Sequence, residues 1–184
     1  TFDVERHISM KALEVAMETG QEIFLVTQRE INVEKPTEQD LYVIGTISRV
    51  TQILRLGQNS LRVMVEGGRR ARLKRLWQLE PYLQGQVETA EEPESVNHGP
   101  KTEALLRQTW SLFQDYAQLA GNVAEEVIAA ALDCQEPGDL ADLIAQNIAL
   151  RYDDKQAILE ELSPMVRLRK LNGFLARERD VLGY

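Results

Sequence analysis

The chain has 184 residues, 43% of them hydrophobic and 27% charged, with a net charge of −8. That composition belongs to a folded chain of one large or two small domains and excludes a disordered one. Apolar runs such as Ile23–Val26 and Val127–Leu132 are far shorter than the about 20 residues of a membrane span, and Thr1–Arg6 has no basic stretch leading into an apolar one, so neither a span nor a secretory signal is expected.

Cys134 is the one cysteine. It makes no internal disulfide and no multi-cysteine zinc site, and reads as a small, buried, apolar residue. A single-cysteine chain fits a reducing, cytoplasmic compartment. Charge divides the sequence. Residues 1–90 carry 12 basic and 12 acidic side chains, whereas residues 91–184 carry 9 and 17, so the acidic excess lies in the second half. An acidic surface repels phosphate, which argues against nucleic-acid binding by that half. The neutral half holds one basic cluster, Arg69, Arg70, Arg72, Lys74 and Arg75.

In chain order, Ile8, Ala12 and Val15 repeat at helical spacing and predict a helix over about 5–18, ended by Gly20. Glu22–Thr27 is a short β-branched run that reads as a buried strand, and 34–40 is a polar loop. Tyr42–Leu56 is strand-like with imperfect alternation, and Gly45 marks a bulge or a close backbone approach. Gly57–Ser60 is a turn. Leu61, Val63 and Val65 then alternate with polar positions as the return strand of a hairpin. Gly67–Gly68 is expected to break it, with the next strand running through Ala71 and Leu73, and Tyr82–Glu88 alternates again. Several short antiparallel strands with one helix predict a small closed or half-open barrel over 1–90.

Residues 91–100 are acidic, carry Pro93, Gly99 and Pro100, and have no apolar period, so they read as a linker or exposed loop. Beyond it, 101–184 reads as a helical bundle. Leu105, Thr109, Leu112 and Tyr116 define one helix over about 101–120, closed by Gly121. Asn122 and Glu125 resemble a capping box opening the next, which Pro137–Gly138 ends. Asp139 is placed as the N-cap of a third helix through Ile148. Asp153 opens a fourth, and Ser163–Pro164 is the N-cap and first residue of a fifth carrying Leu168, Leu171, Leu175 and Leu182.

No phosphate-binding loop, no nucleophile elbow and no metal-ligand spacing occurs. His7 and His98 stand alone, and the acidic pairs such as Glu125–Glu126 and Asp153–Asp154 sit near helix ends, where they complement the dipole. No catalytic residue, metal or cofactor is assigned, and the chain reads as a binding module. The basic cluster admits a phosphate-binding stripe. Its plainer reading is the solvated face of a strand, because no aromatics interleave with it.

Taken together in order, several segments resemble the N-terminal domain of Lon protease. Val4–Met17 is similar to its first helix and Gln21–Gln28 to its next strand. Asp40–Thr46 and Val63–Leu73 are similar to two more, with Glu80–Pro81–Tyr82 following. Asp139–Ala145 and Lys155–Glu160 resemble its helical subdomain. The resemblance implies an α+β chain: a PUA-like small β-barrel with a helix over 1–90, then a helical bundle. It implies recognition of unfolded, damaged or tagged proteins for an ATP-dependent serine protease whose ATPase and protease parts find no match in this chain. It also implies a homohexameric parent, the isolated domain being a monomer or weak dimer. The family usually has an aliphatic strand ahead of the first helix. That strand is expected to be missing from this chain, leaving an edge exposed, and Gly68 and Arg69 depart from the family's usual apolar and acidic residues. Capture of unfolded chains calls for an exposed apolar patch or a free strand edge. The residues proposed for it are Leu54, Leu56, Leu61, Trp77 and Tyr82. Two alternatives stay open: nucleic-acid binding through Arg69, Arg70, Arg72, Lys74 and Arg75, and a stand-alone domain with a regulatory partner.

Overall fold

The computed structural model describes residues 1–92 and 98–184, which form two compact units, Thr1–Glu91 and Glu92–Tyr184. Residues 93–97 of the expected linker lie outside the described residues. At its ends, Glu92 is bonded to Arg167 and Pro100 already begins a helix, so both belong to the helical unit.

The first unit is one antiparallel sheet with a helix on one face. Its strands are β1 (Phe2–Val4), β2 (Ile23–Leu25), β3 (Ile44–Arg55), β4 (Leu61–Gln78) and β5 (Gln84–Thr89). They run in the order β1-β4-β3-β2, and β5 also pairs with β4. The long β4 holds β1 near its start, against Leu61–Val63, and β5 near its end, against Ala71–Gln78. Among the described residues the sheet is therefore not closed into a barrel, and β1, β2 and β5 each pair along one edge only. A strand does precede the helix: Phe2–Val4 is only three residues long, too short for alternation to reveal it, and its evidence is the pairing with β4.

Helix α1 (His7–Thr19) packs Met10, Leu13 and Ala16 against Val50, Leu61 and Val63 of the β3–β4 hairpin. Gly67–Gly68 does not end the strand. Ile47 pairs with Arg69 and Ser48 with Gly67, so Gly68 is an extra residue bulged out of the ladder. A Cβ on Gly68 would come within 2.9 Å of the Ile47 carbonyl oxygen, which is why the bulge holds a glycine. Gly45 is a close-approach site of the same kind, because a Cβ there would lie 2.3 Å from the Leu25 carbonyl oxygen and 2.7 Å from the Phe24 ring.

The second unit contains α2 (Pro100–Ala120), α3 (Glu125–Asp133), α4 (Pro137–Gln146), α5 (Tyr152–Glu160) and α6 (Pro164–Leu182). The predicted spacing is their core: Leu105, Leu112, Phe113, Leu140, Ile144, Leu168, Leu171 and Leu175 are buried together. Several boundaries move. The N-cap of α3 is Ala124, and Asn122 does not cap it. Pro137 opens α4 instead of ending α3, since its missing N–H costs nothing in a first helical turn, and this carries Asp139 inside that turn. Leu182 is exposed. Polar pairs fasten the helices. Trp110 Nε1 donates to the Ala131 carbonyl at 2.7 Å, the Ala149 amide donates to the Tyr116 hydroxyl at 3.1 Å, and Thr109 Oγ1 donates to Asn172 Oδ1 at 2.8 Å. Cys134 is half-buried; its Sγ donates to the Glu136 carbonyl, and burial raises its thiol pKa. Among the described residues no helix is long and apolar enough to cross a membrane.

Candidate functional site

The five residues assigned to an apolar patch do not form one surface. Leu61 is 1% exposed and lies in the core with Val63 and Met10. It is a correction to the expected patch, because its alternation with Arg62 turns it toward α1. Leu54, Leu56 and Trp77 are exposed, and Tyr82 is half-buried. Trp77 sits at the far end of β4, thirteen residues beyond Met64, or roughly 40 Å along the strand at about 3.3 Å per residue, and Tyr82 lies past that strand in the connection to β5.

At the hairpin end, register decides which side chains face water. Gln52 pairs with Met64, Leu54 with Arg62, and Arg49 with Glu66, and cross-strand partners share a face. Val63 and Leu61 face α1, so the alternate positions Arg62, Met64 and Glu66 face out. On β3 the phase is set by a bulge: Val50 pairs with Val65 and Gln52 with Met64, leaving Thr51 as an extra residue. Its hydroxyl donates to the Met64 carbonyl at 3.0 Å and pins the bulge. Without that extra residue, Leu54 would point inward. The outcome is an outward strip of Leu54, Leu56 and Met64, which are 52%, 43% and 47% exposed. Met64 escaped the sequence reading; the signal available was an apolar residue between the inward Val63 and Val65.

Two ion pairs border the strip, and a third lies on the opposite, α1-facing side of the hairpin. Arg62 donates from Nε to Asp3 Oδ1 at 2.9 Å and from Nη2 to Asp3 Oδ2 at 3.2 Å. Arg49 Nη2 meets Glu66 Oε2 at 2.6 Å, and Arg55 Nη2 meets Glu14 of α1 at 2.9 Å. The forked hydrogen bond from Arg62 lowers the Asp3 carboxyl pKa, and Asp3 in turn raises that of Arg62.

At the other end, the free edges of β2 and β5 border an apolar groove of about 420 Å³, lined by Phe24, Ile47, Leu73, Leu76 and Val87, with Trp77 and Tyr82 among its walls. The polar atoms of these aromatics are engaged: Trp77 Nε1 donates to Gln84 Oε1 at 3.4 Å, and Gln84 Nε2 donates to the Tyr82 hydroxyl at 3.1 Å. The basic cluster lies along the same half of β4, where Arg72 and Arg75 pair with Glu88 and Gln86 of β5, and Arg69 and Arg70 with Ile47 and Thr46 of β3. Arg69 pairs with Glu22 at 3.6 Å and Lys74 with Glu88 at 2.7 Å, which lowers the Glu88 pKa. At least these two of the five cations already face carboxylates, which weakens the cluster as a phosphate stripe. Among the described residues no group of histidine, cysteine or carboxylate side chains could hold a metal ion.

Residues 1–177 match the family described as the ATP-dependent protease La (LON) substrate-binding domain. The chain belongs to the Lon substrate-binding domain family. It is 38% identical over 181 residues to the Lon protease of Desulforamulus reducens, covering 98% of this chain and 22% of that protein. It is 35% identical to Lon protease 1 of Bacillus subtilis, covering 98% and 23%. The chain therefore spans less than a quarter of the length of these relatives. Its fold is that of solved Lon N-terminal domains. The N-terminal domain of the Mycobacterium avium complex Lon protease aligns with a TM-score of 0.68 at 22% identity, over 95% of this chain and 89% of that one. A Lon N-terminal domain protein from Xanthomonas campestris aligns with a TM-score of 0.62 at 16% identity, over 94% and 87%.

Proposed function

We propose that this chain is the non-catalytic substrate-recognition module of a cytoplasmic, ATP-dependent Lon-type serine protease, and that it binds unfolded, damaged or tagged proteins. The observation that carries this reading is the outward strip of Leu54, Leu56 and Met64 on a sheet face. A folded protein hides its apolar side chains, whereas an unfolded one displays them, and a solvated apolar strip discriminates on that difference alone. Affinity at one strip is weak, because ordering a flexible chain opposes binding. Six copies in a homohexameric parent compensate through multivalency. ATP hydrolysis and peptide cleavage belong to the remainder of such a parent.

The test is chemical-shift mapping of the 184-residue chain with one protein in its folded form and in a permanently unfolded form. Shifts that cluster at Leu54, Leu56 and Met64 with the unfolded form only are the expected result. Leu54→Asp is expected to weaken that binding about tenfold, by loss of one partly buried leucine contact of about 1.4 kcal/mol. Equal perturbation by both forms, or none by either, refutes the reading. Duplex binding that collapses steeply with salt would instead favour a stand-alone nucleic-acid role for the basic cluster.

A further inference from the structure

We infer that the strip of Leu54, Leu56 and Met64 is a charge-silent site: its bordering ion pairs cancel one another, so it takes a short, extended, uncharged apolar segment of an unfolded polypeptide regardless of the charges flanking that segment. This rests on the recognition reading above and names the substrate class of the same surface.

The size of the strip sets the occupant. From Leu56 to Gln52 is four residues of strand, about 13 Å, which is the length of about four residues of extended chain. Three half-exposed side chains offer on the order of a few hundred Å². A stable dimer needs about 800 Å² from each partner, so the strip is too small for a second copy of this chain and suits a single peptide segment.

Electrostatics sets its selectivity. Toward β1 the strip ends at Asp3–Arg62, and toward the middle of the sheet at Arg49–Glu66. Each pair contains one acid and one base in contact, so two positive and two negative charges leave no net charge beside the strip. A peptide approaching it gains apolar burial and meets no long-range attraction or repulsion. Exposed pairs of this kind add little to stability. Their consequence at this surface is to hold Arg49 and Arg62, the two arginines nearest the apolar side chains, neutral toward ligands. The acids reach these arginines across strand pairs: Asp3 of β1 meets Arg62 of β4, and Glu66 of β4 meets Arg49 of β3. The neutrality is thus built by the fold and not by neighbours in sequence.

The experiment uses the full 184-residue chain and three dye-labelled peptides with one apolar centre and neutral, glutamate or lysine flanks. Binding is read by fluorescence anisotropy at about 50 mM and about 500 mM salt. The unaltered chain is expected to bind all three within about twofold of one another at both salts. The double variant Asp3→Asn, Glu66→Gln, which uncovers Arg62 and Arg49, is expected to bind the glutamate-flanked peptide about threefold or more tightly at low salt and to lose that gain at high salt. The swapped pair Arg49→Glu, Glu66→Arg is expected to behave as the unaltered chain does, which shows that neutrality and not residue identity matters. A tenfold salt effect on the unaltered chain, or a double variant that leaves flank preference unchanged, overturns the charge-silent site while leaving the recognition reading standing. Self-association of the chain that Leu54→Asp abolishes makes a second copy the occupant and also overturns it. Binding of none of the peptides by the unaltered chain overturns both.

Discussion

Arg167 is the largest fully buried side chain among the described residues, at 0% exposure. It lies in α6 and donates from Nε to the Glu161 carbonyl at 2.8 Å and from Nη2 to Glu92 Oε1 at 2.8 Å. Contacts to Asp142 Oδ2 and to the Leu162 carbonyl are both 3.5 Å, at the limit of hydrogen bonding, and add little. Consider Arg167→Ala. Two short charge-assisted bonds at about 1.5–3 kcal/mol each are lost, together with the packing of a buried aliphatic stem. The carboxylates of Glu92 and Asp142 that lose Arg167 are 41% and 32% exposed and can rehydrate, so the penalty for a fully stranded charge does not apply in full. The expected cost is about 3–5 kcal/mol. For a unit running from Glu92 to Tyr184, a change of this size lowers the melting temperature by at least about 12 °C. The two tryptophans are divided between the units, Trp77 in the sheet and Trp110 in α2, so urea unfolding followed by Trp110 fluorescence in a Trp77→Phe background reports the helical unit alone. Arg167→Lys keeps the charge but not the planar fork, and is expected to recover less than half of the loss. A cost below about 1 kcal/mol for Arg167→Ala, with unchanged denaturant dependence, would show that the guanidinium does not hold this unit together.

Two further outcomes follow from the sheet and its ion pairs. Leu61→Ala is expected to destabilise the sheet unit by about 2–5 kcal/mol, as a buried leucine does. Leu54→Ala, outward on the same hairpin, is expected to change stability by less than about 0.5 kcal/mol; equal costs in urea melts would contradict a β3–β4 register that turns Leu61 inward and Leu54 outward. Lys170 lowers the carboxyl pKa of Glu161, as Arg62 does that of Asp3 and Lys74 that of Glu88. A carboxylate with a depressed folded pKa contributes stability that is complete above its unfolded pKa and is lost as pH falls through the folded one. Stability is therefore expected to decline below about pH 4, and carbon-detected NMR should find these three groups titrating below their midpoints in the urea-unfolded chain; midpoints at or above those values contradict the pairing.

The helical unit was legible from local spacing because an α-helix needs only its own turns to define an apolar face. Leu168, Leu171 and Leu175 repeat at helical intervals and are all fully buried. Its boundaries were less legible. Asn122 and Asp139 have the chemistry of caps, yet the chain turns into α3 and α4 at Ala124 and Glu136, since cap positions follow from how the preceding segment reaches the bundle. The basic cluster was visible as a run of letters, but its partial neutralisation by Glu22 and Glu88 was not, because those acids arrive from other strands.

The sequence by itself determined the class of the protein: a β-rich first half, a helical second half, and no motif for phosphate, metal or nucleophile chemistry. Only the tertiary structure decided which apolar residues on the hairpin meet water. Residues in a strand alternate between two faces, so a single inserted residue exchanges every side chain beyond it. Thr51 is such a residue, and its place in the ladder depends on the opposing strand at Met64 and Val65. Leu54 was thereby assigned to the solvent, a choice made by pairing between residues distant in sequence, which local composition does not encode.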